Sequence, residues 1–296
     1  MFASNHTFAF YRLAGKTIRF DQTVADLLPF RSEAVVCPSP PIPADLLELA
    51  QGSLVIQADG WLADRISTIF LWRDETGYLL EIPSAGYFWT SIDGSAICQV
   101  SGSPKEDTTF LSEVLLGPPL VLALALQGVW CLHASAIEHE GMLIAFLGAP
   151  FAGKSTLANY LASQPGNRWV VDDILPVVSE NRRLVALPHF PQLKIPADQQ
   201  PGVLVPEKLP LSAIYLLDDQ LRISIQKLSP INSALALVGH TVAARLFDHR
   251  LLNLHFNFCS QVVSDIPMRR LTYPHILSEL PRVWQWLKDN MADLNS

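Results

Sequence analysis

A glycine-containing loop in the middle of the chain has the residue types and spacing that point most directly to chemistry. It fits the pattern G-x-x-x-x-G-K-[ST], the P-loop, whose backbone N–H groups turn toward phosphate oxygens. Lys154 would add a positive charge near the β- and γ-phosphates, and the Ser155 hydroxyl can ligate magnesium. We therefore predict a site for a nucleoside triphosphate and Mg²⁺. ATP is the expected nucleotide, although the loop itself does not distinguish ATP from GTP. Its nucleotide-binding residues are Gly148, Ala149, Pro150, Phe151, Ala152, Gly153, Lys154, Ser155 and Thr156.

The segments on either side of the loop are those that a P-loop requires. Residues 142–147 are all apolar and predict a central strand covered on both faces. Residues 154–163 place Leu157, Ala158 and Leu161 on one side and predict a helix, whose positive end would point at the phosphates. A bare pattern match can arise by chance, and this context argues against chance here.

Two adjacent carboxylates, Asp172 and Asp173, follow a predicted strand over 168–171 that ends in two valines, and this suggests a Walker B element. Asp172 comes only 18 residues after Lys154, which leaves room for one helix and a short turn. We therefore expect the pair at the end of a strand that lies next to the P-loop strand. Neighbouring strand residues face opposite ways, so one carboxylate could serve magnesium while the other faces the phosphate acceptor. The alternative is a solvated strand end.

His133 lies in a predicted strand at residues 131–137, alone among apolar residues. A histidine in such a setting is more often a satisfied core residue than a catalytic one. Its spacing alone leaves both interpretations open.

The rest of the chain predicts an α/β protein with two domains: a β-rich N-terminal domain over 1–108 and a nucleotide-binding domain over 109–296. Strands are expected at 8–13 and 17–20 around a turn at 14–16, and at 68–72, 78–82 and 87–91. The proline-rich segment 36–44 must be a loop. A helix interrupted near Pro118 is expected over 111–127 and another over 281–290, with strands and prolines alternating from 184 onward.

Composition narrows the functional class. Hydrophobic residues make up 49% of the 296, charged residues 17%, and the net charge is −7, which favours a folded domain and argues against nucleic acid as a partner. The four cysteines are scattered, without a C-x-x-C pair. The longest apolar stretch, 120–130, is too short to span a bilayer, and no secretion signal is recognisable. We expect a cytoplasmic protein with no membrane partner, and a homo-oligomer is allowed.

Three segments together resemble the HPr kinase/phosphorylase family. They are Leu132-His133-Ala134-Ser135-Ala136, the P-loop, and Val171-Asp172-Asp173. That family has a histidine on the strand before the P-loop and a double aspartate one helix after it. Within the group the chain looks similar to kinases of lasso-peptide gene clusters, which phosphorylate a precursor peptide on its C-terminal serine. Weaker likenesses to those kinases lie at 11–18, 190–194 and 266–274.

The resemblance implies a division of labour among the predicted residues. Lys154 would stabilise the moving phosphoryl group, Ser155 and Asp173 would serve magnesium, and Asp172 would accept the acceptor's proton. His133 would lie beside Asp172 and the γ-phosphate. The roles of the two aspartates could be exchanged.

The substrate implied by the resemblance is a precursor peptide with a terminal serine. Lys194 and Arg245 are candidate contacts for its carboxylate or for a phosphate, although for each residue alone a solvated surface charge is the commoner case.

The chain departs from the bifunctional HPr enzymes in two respects. Its P-loop ends Lys154-Ser155-Thr156 where theirs ends Lys-Ser-Glu, and no glycine-rich segment occurs between 176 and 202. HPr as substrate and the reverse reaction are therefore not expected. The alternatives are a small-molecule kinase on the same site and a nucleotide-binding regulatory module with little catalysis.

Overall fold

Two antiparallel strands, β1 (Ala9–Leu13) and β2 (Lys16–Phe20), begin the described part of the chain. The two turn residues, Ala14 and Gly15, both have positive φ, at 47° and 71°. Such a pair gives the turn a twist that matches the twist of the strands, so the predicted hairpin is confirmed. The structure is a computed structural model, and it describes residues 8–33, 43, 46–52, 54–62, 65–102, 108–181, 183–195 and 206–292.

The chain divides into two compact units. The first comprises Met1–Trp130, His189–Pro191 and Val242–Leu254, and the second Cys131–Pro188, Gln192–Thr241 and His255–Ser296. The domain boundary at 108/109 stays a prediction. The predicted loop at 36–44 lies, apart from residue 43, outside the described residues.

The first unit contains a seven-stranded sheet with the order β1-β2-β7-β6-β5-β4-β3. Its further strands are β3 (Leu54–Leu62), β4 (Arg65–Arg73), β5 (Gly77–Ile82), β6 (Gly86–Ser91) and β7 (Ala96–Gly102). The three strands predicted between 68 and 91 are confirmed as β4, β5 and β6.

Two helices follow in the same unit, α1 (Thr108–Leu116) and α2 (Pro118–Leu126). Pro118 is the first residue of α2, where its missing N–H costs no hydrogen bond. The predicted interruption of the helix at this proline is confirmed. Pro118 to Ala125 are all buried, which explains why α2 is apolar on every side.

The second unit contains a mixed seven-stranded sheet with the order β11-β10-β8-β9-β12-β14-β13. Strands β9, β12 and β14 are parallel to one another, so their carboxyl ends meet at one edge, here called the carboxyl edge. Its strands are β8 (Trp130–His139), β9 (Met142–Leu147), β10 (Asn167–Glu180), β11 (Arg183–Ala186), β12 (Leu209–Asp219), β13 (Ser224–Lys227) and β14 (Met268–Tyr273).

Strand β10 corrects two expectations about the carboxylate pair. It continues for 14 residues, so Asp172 and Asp173 lie inside the strand rather than at its end. The buried apolar residues Leu175, Val177 and Val178 after the pair keep the backbone in the sheet. In addition, β8 lies between β10 and the P-loop strand β9, so the carboxylates are two strands away from it and not next to it.

The second unit carries the helices α3 (Lys154–Ala162), α4 (Pro230–Gly239) and α6 (Leu280–Ala292), and α5 (His249–Asp265) extends into it. The helices predicted at 154–163 and 281–290 are confirmed. The expected alternation of strands and prolines after 184 is wrong for α4 and α5. The buried residues His255, Cys259 and Val262 of α5 have helical spacing, but the histidine and the β-branched valine weaken the helical propensity of the segment.

Helices α3 and α6 pack on the same apolar cluster. Leu157 and Leu161 of α3 meet Val283 and Leu287 of α6 there, against Phe146 of β9. The P-loop helix is therefore held against the sheet by α6. In the described ranges no helix is long and apolar enough to cross a membrane.

Candidate active site

The P-loop joins the carboxyl end of β9 to α3. Gly153, the residue before the helix, has a φ of 76°, and a Cβ placed on it would lie 3.1 Å from the Tyr273 hydroxyl. At the start of the loop, a Cβ on Gly148 would come within 2.9 Å of the Ala152 Cβ. Phe151, also at positive φ, is fully exposed. Both glycines are thus required by close approaches of neighbouring atoms, as a tightly wrapped loop demands.

Replacing Gly153 by alanine is expected to lower the thermal unfolding midpoint and to weaken ATP binding. A Cβ strains the left-handed backbone, and it would crowd the Tyr273 hydroxyl at 3.1 Å. Gly239→Ala is the matched control, since a Cβ there meets no atom within 4 Å. Thermal denaturation and calorimetric titration with Mg-ATP measure the two effects. A Gly153→Ala protein that matches wild type in both would show that the loop does not need this geometry.

Lys154 is the first residue of α3, and its side chain is buried. Its ammonium donates to the carbonyl oxygens of Gly148 at 2.9 Å and Ala149 at 3.2 Å, so it lies folded back over the loop. Burial lowers the pKa of the ammonium, against the raising influence of Asp173 and Asp172. A buried cation whose hydrogen bonds, within the described ranges, go to neutral carbonyl oxygens would be stabilised by an anionic partner at the loop.

Asp172 connects three elements of the second unit. Its Oδ1 accepts a hydrogen bond from the Ser155 hydroxyl at 2.8 Å and another from the Ser135 hydroxyl of β8. Its backbone N–H donates to the Gln192 side-chain oxygen at 2.8 Å, and the carboxylate itself is buried. The P-loop serine is therefore paired with Asp172, whereas Asp173 was the expected neighbour. Sequence reasoning gave no role to Ser135 or Gln192, although both lie in the stretches that carried the resemblance.

Asp173 faces a different group of side chains. Its Oδ1 lies 3.0 Å from His133 Nδ1, and its Oδ2 lies 3.1 Å from Lys194 Nζ. Burial alone would raise the pKa of Asp173, but the hydrogen bond with His133 and the charge of Lys194 outweigh it and hold the pKa below its usual value. The imidazole of His133 thus contacts Asp173, whereas the sequence resemblance placed it beside Asp172.

The backbone at Asp173 has a φ of 95°, which is rare for a residue other than glycine. Such a conformation costs about 1–3 kcal/mol and is concentrated at functional sites. Here it occurs within β10, where Asp172 is buried against two hydroxyls and Asp173 faces His133 and Lys194.

His240 is a member of this cluster that sequence reasoning missed. Its carbonyl oxygen accepts a hydrogen bond from the His133 N–H at 2.7 Å, at the C-terminal end of α4. Burial, followed by the positive charges of Lys154 and His133, lowers the pKa of His240 to about 4, so its imidazole is neutral at pH 7. No local pattern marks this residue, since about 100 residues separate it from His133.

The structure brings most of the predicted site residues together in the second unit. The P-loop, His133, Asp172, Asp173 and Lys194 all converge at the start of α3. Arg245 belongs to the first unit, in a short 3₁₀ helix, and its guanidinium donates to the Asp59 carbonyl oxygen at 3.2 Å. Its role as a substrate contact stays a prediction.

The donor set at Ser155 and Asp172 fits a magnesium ion. A hydroxyl and a carboxylate are hard oxygen donors, and Mg²⁺ is typically held by one or two carboxylates together with substrate phosphates and water. No three His, Cys, Asp or Glu side chains converge into a metal cluster in the part of the chain that the structure describes. Because the Asp172 carboxylate already accepts a hydrogen bond from the Ser155 hydroxyl, these two side chains are placed to ligate one magnesium ion together.

Comparisons with known proteins find a likeness among solved structures. No protein-family model matches the sequence, and neither does any curated protein. Among solved structures, the Hpr(Ser) kinase/phosphatase from Coxiella burnetii is similar to part of the chain. The match covers 56% of this chain and 99% of that chain, with 11% sequence identity and a TM-score of 0.33. A likeness of this degree says nothing about the roles of individual residues.

Proposed function

We propose that this protein is an ATP- and Mg²⁺-dependent kinase that transfers the γ-phosphoryl group to a serine hydroxyl. The observation that carries the proposal is the convergence of a P-loop serine, a buried aspartate and a second, cation-paired aspartate in the second unit. Phosphoryl transfer depends on positioning and on stabilising charge, and these groups supply both.

The triphosphate end of ATP is assigned to the P-loop and Lys154. The loop N–H groups and the first turn of α3 favour negative charge. The Lys154 ammonium would exchange its two carbonyl partners for phosphate oxygens, which are stronger acceptors for a charged donor. Its charge would then stabilise the negative charge on the moving group.

Magnesium is assigned to Ser155 and Asp172, because their side chains already share a hydrogen bond. When bound, the ion neutralises charge that develops on the phosphate oxygens. Ser135 holds the same carboxylate oxygen from β8, and Gln192 fixes the backbone N–H of Asp172. These two residues therefore act as positioning residues for the carboxylate.

The acceptor side is assigned to Asp173, which reverses the order of the two aspartates that the resemblance implied. As an aspartate it is ionised at neutral pH, so it can accept a hydrogen bond from the acceptor hydroxyl and take up the proton as transfer proceeds. His133 and Lys194 hold the carboxylate from two sides. The half-exposed Lys194 is also the predicted residue best placed to meet an anionic group of the acceptor.

The acceptor we propose is the C-terminal serine of a lasso-type precursor peptide. Support for this step comes from the sequence resemblance and from the chemistry of the acceptor side. A terminal serine can enter a cleft without unfolding its carrier, and its carboxylate suits the ammonium of Lys194. We also propose that the protein is located in the cytoplasm.

The test is to incubate the purified protein with ATP, Mg²⁺ and a cognate precursor peptide, and to map added phosphate by mass spectrometry. We expect phosphate on the last serine, and none on a peptide in which that serine is replaced by alanine. An unmodified cognate peptide beside a phosphorylated small alcohol or sugar would instead indicate a small-molecule kinase. ATP that is bound and never transferred to any acceptor would favour the regulatory module.

A further inference from the structure

A small cleft lies at the carboxyl edge of the second unit, on the side of β9 away from the carboxylates. Its volume is about 260 Å³, and its lining includes Leu221 and Arg222 after β12, Pro274 after β14, and Trp286 of α6. Ligand pockets for whole small molecules commonly measure about 300–1,000 Å³. The cleft is therefore of a size to take one part of a larger ligand.

The cleft adjoins the P-loop through two elements. Tyr273, the last residue of β14, places its hydroxyl against Gly153 of the loop, and Pro274 of the cleft follows it directly. Helix α6, which carries Trp286, packs on α3, the helix that the P-loop begins. A ligand held by the P-loop thus has the cleft beside it along the same sheet edge.

Two of the side chains that line the cleft offer exposed apolar surface on which a flat heteroaromatic ring could pack. Leu221 is 94% exposed and Trp286 46% exposed, so both offer apolar surface to a partner. Within the described residues no carboxylate lies at ion-pair distance from Arg222, whereas Arg282 is paired with Glu279 at 2.7 Å. Stacking on an indole and donation from a guanidinium are both ways in which proteins hold nucleobases.

The orientation of a bound nucleotide follows from the positions of Asp172 and the cleft. Ser155 and Asp172, which would hold magnesium and through it the phosphates, lie on the β8–β10 side of the P-loop strand. The opposite end of the nucleotide must then leave the loop on the β12–β14 side, where the cleft is found. Ligands of sheets with parallel strands bind outside the carboxyl ends of those strands.

We propose that this cleft holds the nucleoside of the bound nucleotide, with Trp286 and Leu221 against the base and Arg222 donating to its edge. The inference rests on the proposed function, since it assumes that the P-loop binds a triphosphate. It assigns to Trp286 and Arg222 a role in nucleotide affinity that is separate from phosphate binding.

The experiment compares ATP with inorganic tripolyphosphate, each titrated calorimetrically with Mg²⁺ into wild type, Trp286→Ala and Arg222→Ala. Wild type is expected to bind ATP more tightly than tripolyphosphate. Each variant should lose about tenfold in ATP affinity, as expected for loss of one base contact, and should keep its tripolyphosphate affinity. Leu277→Ala, an exposed residue of the same edge that does not line the cleft, is the control and should bind both ligands as wild type does.

Two results would overturn the inference and leave the proposed function intact: equal affinity of wild type for ATP and tripolyphosphate, or unchanged ATP affinity in both variants. A wild-type protein that binds neither ligand would contradict the proposed function itself. Equal losses for both ligands in a variant with an unchanged thermal midpoint would show that the residue acts on phosphate, which also contradicts the inference.

Discussion

Lys154→Ala is expected to reduce phosphoryl transfer by about 10²–10³-fold, since removing one electrostatic stabiliser of a transferring group costs about 2–4 kcal/mol. The ammonium lies over the P-loop, where its hydrogen bonds among the described residues go to two carbonyl oxygens of the loop, so its removal should spare the fold. Initial rates with saturating Mg-ATP and the cognate peptide measure the effect.

The control for this variant is Lys227→Ala, which removes an exposed lysine from β13 in the same unit. Its rate and its thermal midpoint should match those of wild type. Wild-type activity in a folded Lys154→Ala protein would end the assignment of this loop to phosphate binding.

The two aspartates are expected to respond differently to replacement by asparagine. Asp173→Asn should lower kcat by about 10²–10⁴-fold with little change in nucleotide affinity, because an amide keeps the shape but cannot take a proton. Asp172→Asn should instead weaken nucleotide binding and raise the magnesium concentration needed for half-maximal activity. The cause is the loss of a carboxylate charge beside the Ser155 hydroxyl.

Titrating magnesium at several ATP concentrations separates the two effects, and Asp289→Asn on the exposed face of α6 serves as the control. Should the magnesium requirement shift in Asp173→Asn and the kcat collapse in Asp172→Asn, the roles proposed for the pair are reversed. Should neither variant differ from wild type, the pair takes no part in the reaction.

The parts of the site that the sequence predicted are those written into contiguous residues. The P-loop, its apolar strand and its amphipathic helix follow one another along the chain, so pattern and position agree. The hairpin around Ala14 and Gly15 and the restart at Pro118 are likewise local features.

The parts that escaped prediction depend on residues far apart in the sequence. An apolar run before two aspartates does not reveal that the strand continues beyond them, nor that β8 inserts between β10 and β9. Consequently the pairing of Ser155 with Asp172, and of His133 with Asp173, could not be deduced from spacing. Gln192 and His240 reach the site only through the packing of the second unit.

Calorimetric titration of the wild-type protein with ATP, in the presence and absence of Mg²⁺, tests the central claim most directly because it requires no knowledge of the acceptor. The buried lysine of the P-loop and the Ser155–Asp172 pair predict saturable ATP binding that strengthens when magnesium is present. A folded protein that shows no heat of ATP binding under either condition, or binding that magnesium leaves unchanged, would contradict the account.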